Sequence, residues 1–322
     1  MADATRTRPV GSLRTIIVAF AANILVAIAK TGAAILTGSS SMFAEAAHSW
    51  ADSGNEVFLL IADRASAKSA DEAHPLGYGR ESYIWSLFAA VGLFTAGAVV
   101  SVQNGVQELL NPEPAQNFAI AYAVLAVAFV LEGLSLTQSV VQLRRTVVRL
   151  RRDSARFDRG AIEFALNGSN ATLRAVLAED ASALIGLGIA FVGILLHQLT
   201  GNPAFDAIGS LAIGVLLAVV AIILINRNRR YLVGAQPTPA VRTSVGRALL
   251  ERTEIERVTY LHLEFVGPAQ LLVVAAVDLH GDQHEDDVAR QLRTIERAVE
   301  ETELIQTAVL TLSVSDEPSI EF

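Results

Sequence analysis

The sequence predicts an α-helical membrane protein in which six transmembrane helices precede a small cytosolic α+β domain. Of its 322 residues, 52% are hydrophobic and only 18% are charged, whereas a soluble domain carries about 25% charged residues. Basic residues cluster in alternate connections between the apolar stretches, and the chain turns hydrophilic and acidic after Tyr231. The first two observations predict the membrane domain and its orientation, and the third predicts a separate tail.

Six stretches are long and apolar enough for a helix that crosses a bilayer, which takes about 20 residues. They cover roughly 13–37, 42–64, 82–110, 117–143, 170–198 and 204–226. The first follows a basic N-terminal segment, 1–12, and is too long for the apolar part of a cleaved signal peptide. We therefore expect it to remain as the first span of a membrane domain at 13–230.

The positions of lysine and arginine predict how these spans are oriented. The connections near 38–41, 111–116 and 199–203 contain neither residue. The N-terminal segment, the second and fourth connections and the end of the sixth span are basic. Because positively charged loops stay inside, both termini should be cytoplasmic and the number of spans even. The wealth of Ala, Val and Arg is compatible with a bacterial inner (cell) membrane.

The tail at 236–322 contains 7 arginines and 16 acidic residues, which makes it unsuited to nucleic acid. The QPTP stretch at 236–239 has the composition of a hinge. Hydrophobic periodicity predicts helices at 240–253 and 285–301 and strands at 257–266, 269–279 and 305–315. This αββαβ order predicts a ferredoxin-like domain.

Ionisable side chains interrupt the second span, where charge is costly and usually functional. Glu45, His48, Asp52 and Asn55 follow one another at spacings of three and four and so line one face of a helix, with Glu56 at its border. His48 and Asp52 are one turn apart, so an imidazole nitrogen and a carboxylate oxygen can converge on one ion.

The fifth span carries two adjacent acids, Glu179 and Asp180. Neighbours on a helix point about 100° apart, so only one of them can aim fully at a given point. One imidazole with two or three carboxylates suits a divalent cation, with Zn²⁺ favoured and Mn²⁺, Fe²⁺ or Co²⁺ as alternatives. A structural role remains the alternative, in which the histidine bonds to a neighbouring helix and a carboxylate pairs with Lys30 or Arg174.

Other polar and small residues in the spans have ordinary interpretations. Glu108 and Glu132 are expected to form hydrogen bonds in the core, and Asn23 is a weak candidate for a group that supports the site. Six glycines are expected at close helix contacts: Gly32, Gly92, Gly97, Gly186, Gly188 and Gly193.

Three stretches, "SSSMFAEAAHSWADSGNEVFLL", "AHPLGYGRESYIWSL" and "FDAIGSLAIGVLL", resemble the second span, the loop entering the third span and the sixth span of the cation diffusion facilitator family. The resemblance covers nearly the whole chain. It implies a homodimeric divalent metal/proton antiporter that works by alternating access around a site between spans two and five. The partners would be a divalent metal, protons and the lipid bilayer, and no cofactor would be needed.

The resemblance implies a metal site of two residues four apart on each of spans two and five. The first pair is His48 and Asp52, and the second would be Val176 and Asp180. Since valine cannot bind metal, Glu179 is the candidate for the missing ligand or for a proton carrier. This altered motif resembles one branch of the family, and the predicted metal ligands are His48, Asp52, Asp180 and Glu179.

Two secondary metal sites of the family are incomplete in this sequence. The loop site would use an aspartate and two histidines, and here Asp71 and His74 are followed by Tyr78 at the second histidine position. The tail has only three histidines: His262, His280 and His284. The HGDQHEDD stretch could bind a cation weakly, or it could be a solvated acidic turn that opens a helix.

A membrane metalloenzyme and a non-transporting scaffold are the alternative classes of function. A membrane metalloenzyme would be flagged by HExxH on a helix, which does not occur, so we expect no enzymatic activity. A non-transporting scaffold or metal sensor that acts through its tail would tolerate alanine at all four ligand positions.

Overall fold

The computed structural model describes residues 13–153, 168–281 and 284–322. The predicted basic segment 1–12 lies outside these ranges. The chain forms two compact units. The first contains the chain up to Leu60, Phe88–Gln142 and Ala175–Ile225, and the second contains Ile61–Leu87, Leu143–Arg174 and Asn226–Phe322.

Long helices make up most of the described chain. They are α1 (Leu13–Thr37), α2 (Ser40–Ser66), α3 (Glu81–Gly92), α4 (Val100–Leu110), α5 (Phe118–Asp153), α6 (Ala171–Thr200) and α7 (Ala204–Gly234). A π-helical segment, Leu93–Val99, joins α3 to α4, so that the predicted third span is one continuous helical rod. Helix α5 ends ten residues beyond the predicted limit of the fourth span.

Five stretches of the described chain are long and apolar enough to cross a membrane. They are Phe20–Thr37, Glu81–Leu110, Phe118–Val141, Ala171–Thr200 and Ala204–Leu250. Helix α2 is not among them, although its 27 residues extend about 40 Å. Its ionisable residues lower its mean hydropathy. Six long helical stretches therefore lie at the predicted positions, five of them are apolar enough to cross a membrane, and the count of six spans stays a prediction.

The first unit has a core of small side chains. Its larger buried members come from several helices: Met42, Leu93, Leu125, Leu187, Ile194, Ile213 and Leu217. Where α3 becomes π-helical, Gly97 lies so close to α7 that an added β-carbon would be 3.0 Å from Leu217 Cδ1. Alanine and glycine therefore let these helices approach closely.

At its N-terminus, α2 is tied to α7 and α4. The buried Asp206 carboxylate accepts hydrogen bonds from the backbone N–H of Ser40 at 2.8 Å and of Ser41 at 3.2 Å. Asn104 donates to the Ser40 hydroxyl at 2.6 Å. Asp206 thus satisfies N–H groups that the first turn of a helix leaves without a partner.

The second unit contains the acidic tail, which has the predicted order of elements. They are α8 (Pro239–Leu250), β1 (Ile255–Gly267), β2 (Gln270–Leu279), α9 (Glu285–Glu300) and β3 (Ile305–Leu312). Strand β2 is central, antiparallel to β1 and parallel to β3. Leu249 of α8 and Ile295 and Val299 of α9 share one core with the strands, so the tail is a small α+β domain as predicted.

Candidate functional site

The polar face of α2 lies in the interior of the first unit. Glu45, His48 and Asn55 expose 0%, 0% and 1% of their surfaces, and the Asp52 side chain exposes 18%. Such groups are costly to bury and need partners or an ion. The predicted polar face of α2 is therefore an internal surface.

A cavity of about 100 Å³ borders the polar face of α2. Its lining is Asn23 and Val26 of α1, Ser49, Asp52, Glu56 and Leu59 of α2, Glu132 and Ser135 of α5, and Val176, Glu179 and Asp180 of α6. Five of these residues carry carboxyl groups. So many acids around one cavity favour the entry of cations.

His48 and Asp52 form the part of the site that the sequence predicts best. Nδ1 of His48 lies 3.3 Å from Oδ1 of Asp52. Within the described ranges, neither imidazole nitrogen nor that Asp52 oxygen has a hydrogen-bond partner. Since buried polar atoms are nearly always hydrogen-bonded, these atoms are chemically suited to serve as ligands of an ion.

The two adjacent acids of α6 point to different helices. Glu179 Oε1 accepts a hydrogen bond from Asn55 of α2 at 3.1 Å. Asp180 accepts hydrogen bonds from Ser135 and Ser139 of α5 at 3.2 and 3.0 Å. Glu179 therefore lies next to the polar face of α2, and Asp180 is held against α5, while both line the cavity.

The four predicted ligands are thus neighbours without forming a closed coordination shell. Asp52, Glu179 and Asp180 line the same cavity, and His48 contacts Asp52. As the side chains stand, no three His, Asp or Glu residues of the described chain are close enough to hold one ion. Binding would require these side chains to rotate toward the ion.

Glu45 is engaged by a partner of its own. The Lys30 ammonium lies 2.9 Å from Glu45 Oε2, and neither side chain is exposed. The other oxygen, Oε1, is 2.5 Å from where a β-carbon at Gly186 would be, so a larger residue there would push the Glu45 carboxylate aside. The pairing with Lys30 that the sequence left open is thus present for Glu45. Arg174 instead donates to the Gly168 carbonyl at 2.8 Å and to Asn228 at 2.7 Å.

Two further acids line the cavity beside the predicted ligands. Glu132 of α5 lines the cavity, although only a hydrogen bond in the core was expected for it. Glu56 also lines it and accepts a hydrogen bond from the Asn23 amide. The spacing along α2 marks Glu56, but Glu132 stands alone in its span, and only helix packing brings it to the cavity.

In the connection before α3, Asp71, His74 and Tyr78 meet. The Tyr78 hydroxyl donates to Asp71 Oδ2 at 2.7 Å, and His74 Nδ1 lies 3.4 Å from Asp71 Oδ1. The bond from Tyr78 lowers the pKa of the Asp71 carboxyl, and the same bond raises the pKa of the Tyr78 hydroxyl. A phenol therefore occupies the place of the second histidine.

The histidines of the tail lie near separate carboxylates. His262 Nε2 is 3.6 Å from Glu264, and His280 Nδ1 is 3.7 Å from Glu256. His284 immediately precedes α9, whose first turn is acidic. Asp282 of the HGDQHEDD stretch lies outside the described residues, and cation binding by that stretch stays a prediction.

Several known proteins are similar to this chain. The family model described as the cation efflux transmembrane domain matches residues 16–233. The chain is 32% identical to metal tolerance protein C4 of Arabidopsis thaliana, over 84% of this chain and 58% of that protein. It is 33% identical to a mitochondrial proton-coupled zinc antiporter of Xenopus laevis, over 84% of this chain and 47% of the relative.

The chain therefore spans about half the length of these two curated relatives. A third relative, an uncharacterized transporter of Methanocaldococcus jannaschii, is 22% identical over 94% of this chain and 98% of its own length. The matched region contains every residue of the cavity.

Proposed function

The chain belongs to the cation diffusion facilitator family, and we propose that it exports a divalent metal cation across a membrane in exchange for protons. The observation that carries this proposal is the cavity with five carboxyl groups beside the unpaired atoms of His48 and Asp52. Zn²⁺ is the first candidate, and the names of the Xenopus and Arabidopsis relatives support a metal cargo. Because carboxylates outnumber the single imidazole, Mn²⁺, Fe²⁺ and Co²⁺ are the alternatives.

The metal is held by His48, Asp52 and Glu179, with Asp180 as the fourth ligand. Asn55 positions Glu179 through its hydrogen bond. Binding requires deprotonated ligands, so metal and protons compete for the same side chains. That competition is the basis of exchange, and the proton gradient supplies the energy without any covalent step.

The side that the cavity faces follows from which end of the helices is tied together. The Asp206 hydrogen bonds close the helix contacts at the N-terminus of α2, while the cavity extends from Asp52 to Glu56 and Leu59, toward its other end. The positive-inside pattern places that other end in the cytosol. Metal enters there, the helices rock, and external protons release it on the far side.

The proposal includes six spans with both termini in the cytoplasm. A homodimer held in part by the α+β tail, in a bacterial inner membrane, completes it. The even number of spans and the cytoplasmic termini rest on the charge pattern of the connections. The homodimer rests on the family resemblance, and the bacterial membrane rests on the wealth of Ala, Val and Arg in the sequence.

Metal flux into proteoliposomes with an imposed pH gradient tests the proposal. Asp52→Ala and Asp180→Ala should each abolish flux, and Glu179→Ala should do the same if Glu179 is the ligand in place of Val176. Glu113→Ala, which removes an exposed carboxylate in the loop before α5, is the matched control and should transport normally. Comparing Zn²⁺, Mn²⁺, Fe²⁺ and Co²⁺ identifies the cargo. Normal flux in both aspartate variants would refute transport through this site and favour a scaffold.

A further inference from the structure

Helix α2 is enclosed differently along its two halves. From Ser49 to Leu59 its polar face borders the cavity. Near its start, the Ser41 hydroxyl lies between two glycines of other helices. An added β-carbon at Gly193 of α6 would be 3.1 Å from this hydroxyl oxygen, and one at Gly209 of α7 would be closer still. The first turn of α2, residues 40–43, is therefore wedged between α6 and α7.

Hydrogen bonds to one residue of α7 hold this first turn in place. The Asp206 carboxylate accepts from the backbone N–H of Ser40 at 2.8 Å and of Ser41 at 3.2 Å. The Ser41 hydroxyl donates to the Asp206 carbonyl at 2.8 Å. Both ends of Asp206 thus bind α2, and this buried residue is the main polar connection between the two helices.

Helices α4 and α7, on the other side of this contact, are packed backbone to backbone. An added β-carbon at Gly105 of α4 would lie 2.9 Å from the Ala207 carbonyl oxygen. The Ser210 hydroxyl of α7 donates to the Ser101 carbonyl of α4 at 2.9 Å. Backbone packed this closely resists displacement, whereas a few hydrogen bonds can be exchanged for bonds to water. The contact that can open at this end is therefore the one between α2 and the α4–α7 pair.

We propose that Asp206 and residues 40–43 form a latch that closes the release side of the transport site and opens each time the metal leaves. This inference rests on the proposed function, since alternating access requires that the end opposite the cavity mouth open in turn. Asp206 lies outside the lining of the cavity. It acts on the site by holding α2, which carries His48 and Asp52, and is a positioning residue.

A disulfide across the latch tests whether it has to open. The β-carbon of a residue at position 209 would lie 3.6 Å from Cβ of Ser41, within the range that disulfides span, and the chain has no cysteine of its own. The full chain with Ser41→Cys and Gly209→Cys is reconstituted in liposomes and oxidised, and the oxidised fraction is measured by mass spectrometry. Metal flux should fall in proportion to that fraction and return after reduction and removal of the reductant.

The two single-cysteine variants are the matched controls for this experiment. Each has one of the substitutions but cannot close the disulfide within the chain, so oxidation should leave its flux unchanged. An oxidised double variant that transports at its reduced rate would overturn the latch. Failure of the disulfide to form would overturn it as well, because the contact would then not exist.

A second measurement observes the latch without transport. Ser49→Cys in the cavity lining, with and without Asp206→Ala, is treated with a membrane-impermeant thiol reagent outside right-side-out vesicles. Asp206→Ala should raise the labelling rate about tenfold, since two hydrogen bonds shift an equilibrium by about that factor. Tyr122→Phe removes a 2.7 Å hydrogen bond to Gln198 between α5 and α6, and as the matched control it should leave the rate unchanged.

The outcomes separate this inference from the proposed function. Equal labelling rates with and without Asp206→Ala would overturn the latch, even in a protein that transports metal normally. If wild type moves no metal while the labelling rates differ as expected, the proposed function fails and the closure by Asp206 is still supported. Should Asp206→Ala fail to fold, Asp206→Asn keeps the side-chain volume and one acceptor oxygen, and it should give a smaller rise in labelling.

Discussion

The ammonium group of Lys30 and the carboxylate of Glu45 lie 2.9 Å apart with no exposed surface. Removing one partner of such a pair leaves an uncompensated buried charge, which costs about 3–5 kcal/mol, whereas apolar replacement of both partners can be neutral. We expect Lys30→Met to lower the free energy of unfolding by about that amount, and Lys30→Met with Glu45→Met to recover most of it. Thermal unfolding in detergent measures both.

The chain has one other lysine, Lys68, which is exposed in the connection before α3. Lys68→Met is therefore a matched control, and its effect should stay within about 0.5 kcal/mol. Equal unfolding temperatures for Lys30→Met and wild type would show that the buried pair contributes nothing.

The loop before α3 offers a second prediction at single residues. Asp71, His74 and Tyr78 already meet, with the Tyr78 hydroxyl 2.7 Å from Asp71 and the His74 ring 4.1 Å from the Tyr78 ring. Tyr78→His would supply a second imidazole and complete a set of ligands suited to Zn²⁺. We expect one additional Zn²⁺ per chain by titration calorimetry. Tyr78→Phe should gain none, and a Tyr78→His protein with unchanged stoichiometry would show that the loop cannot close around an ion.

Sequence spacing could predict those site residues that share one helix. His48 and Asp52 were placed together because the periodicity of α2 is regular. The roles of Glu179 and Asp180 could not be separated, because the rotation of α6 is set by packing against α2 and α5. Glu132 was missed for the same reason, since the polar neighbour one turn away, Ser135, is uncharged and does not mark its face as part of a site.

At the level of helices, the approach of α7 to α4 depends on Gly214. An added β-carbon there would lie 2.6 Å from Val102 Cγ2, 3.0 Å from the Val102 backbone N and 3.1 Å from the Ala98 carbonyl oxygen. Because two of these atoms are backbone, the helices must separate, and overpacking of this kind costs about 1–3 kcal/mol. We expect Gly214→Ala to be destabilised by that amount in thermal unfolding. Gly188→Ala, with nothing within 4 Å of its added carbon, is the control and should be at least as stable as wild type, since alanine favours a helix over glycine.

Glycines illustrate how far helix contacts can be predicted. Gly92, Gly97, Gly186 and Gly193 do lie against neighbouring groups, whereas Gly32 and Gly188 have open space around them. Glycine in a span permits a close approach but does not require one. The π-helical segment was also missed, because an apolar run of this length carries no periodic signal that separates it from an α-helix.

At the scale of the whole molecule, the sequence predicted the order of elements better than it predicted single contacts in the site. The order αββαβ in the tail followed from alternating strands and an amphipathic helix, and the observed elements differ from the predicted ones by a few residues. The sequence did not predict that β3 pairs with β2 in parallel, because this pairing depends on how α9 crosses the sheet. Helix α2 was predicted as a span because of its length. Its polar face is the reason that it is not among the five stretches that are apolar enough to cross a membrane.

The count of spans can be tested directly because the chain contains no cysteine. Single cysteines are introduced at Ala4, at Asn202 in the exposed loop between α6 and α7, and at Ser319 in the exposed end of the tail. A membrane-impermeant maleimide applied to intact cells should label Asn202→Cys and spare Ala4→Cys and Ser319→Cys, and all three should react after lysis. The reason is that an even number of crossings returns the chain to its starting side, and the basic connections place that side in the cytoplasm. If α2 did not cross, five spans would leave positions 4 and 319 on opposite sides. Labelling of just one of those two positions in intact cells would therefore exclude six spans and remove α2 from the membrane.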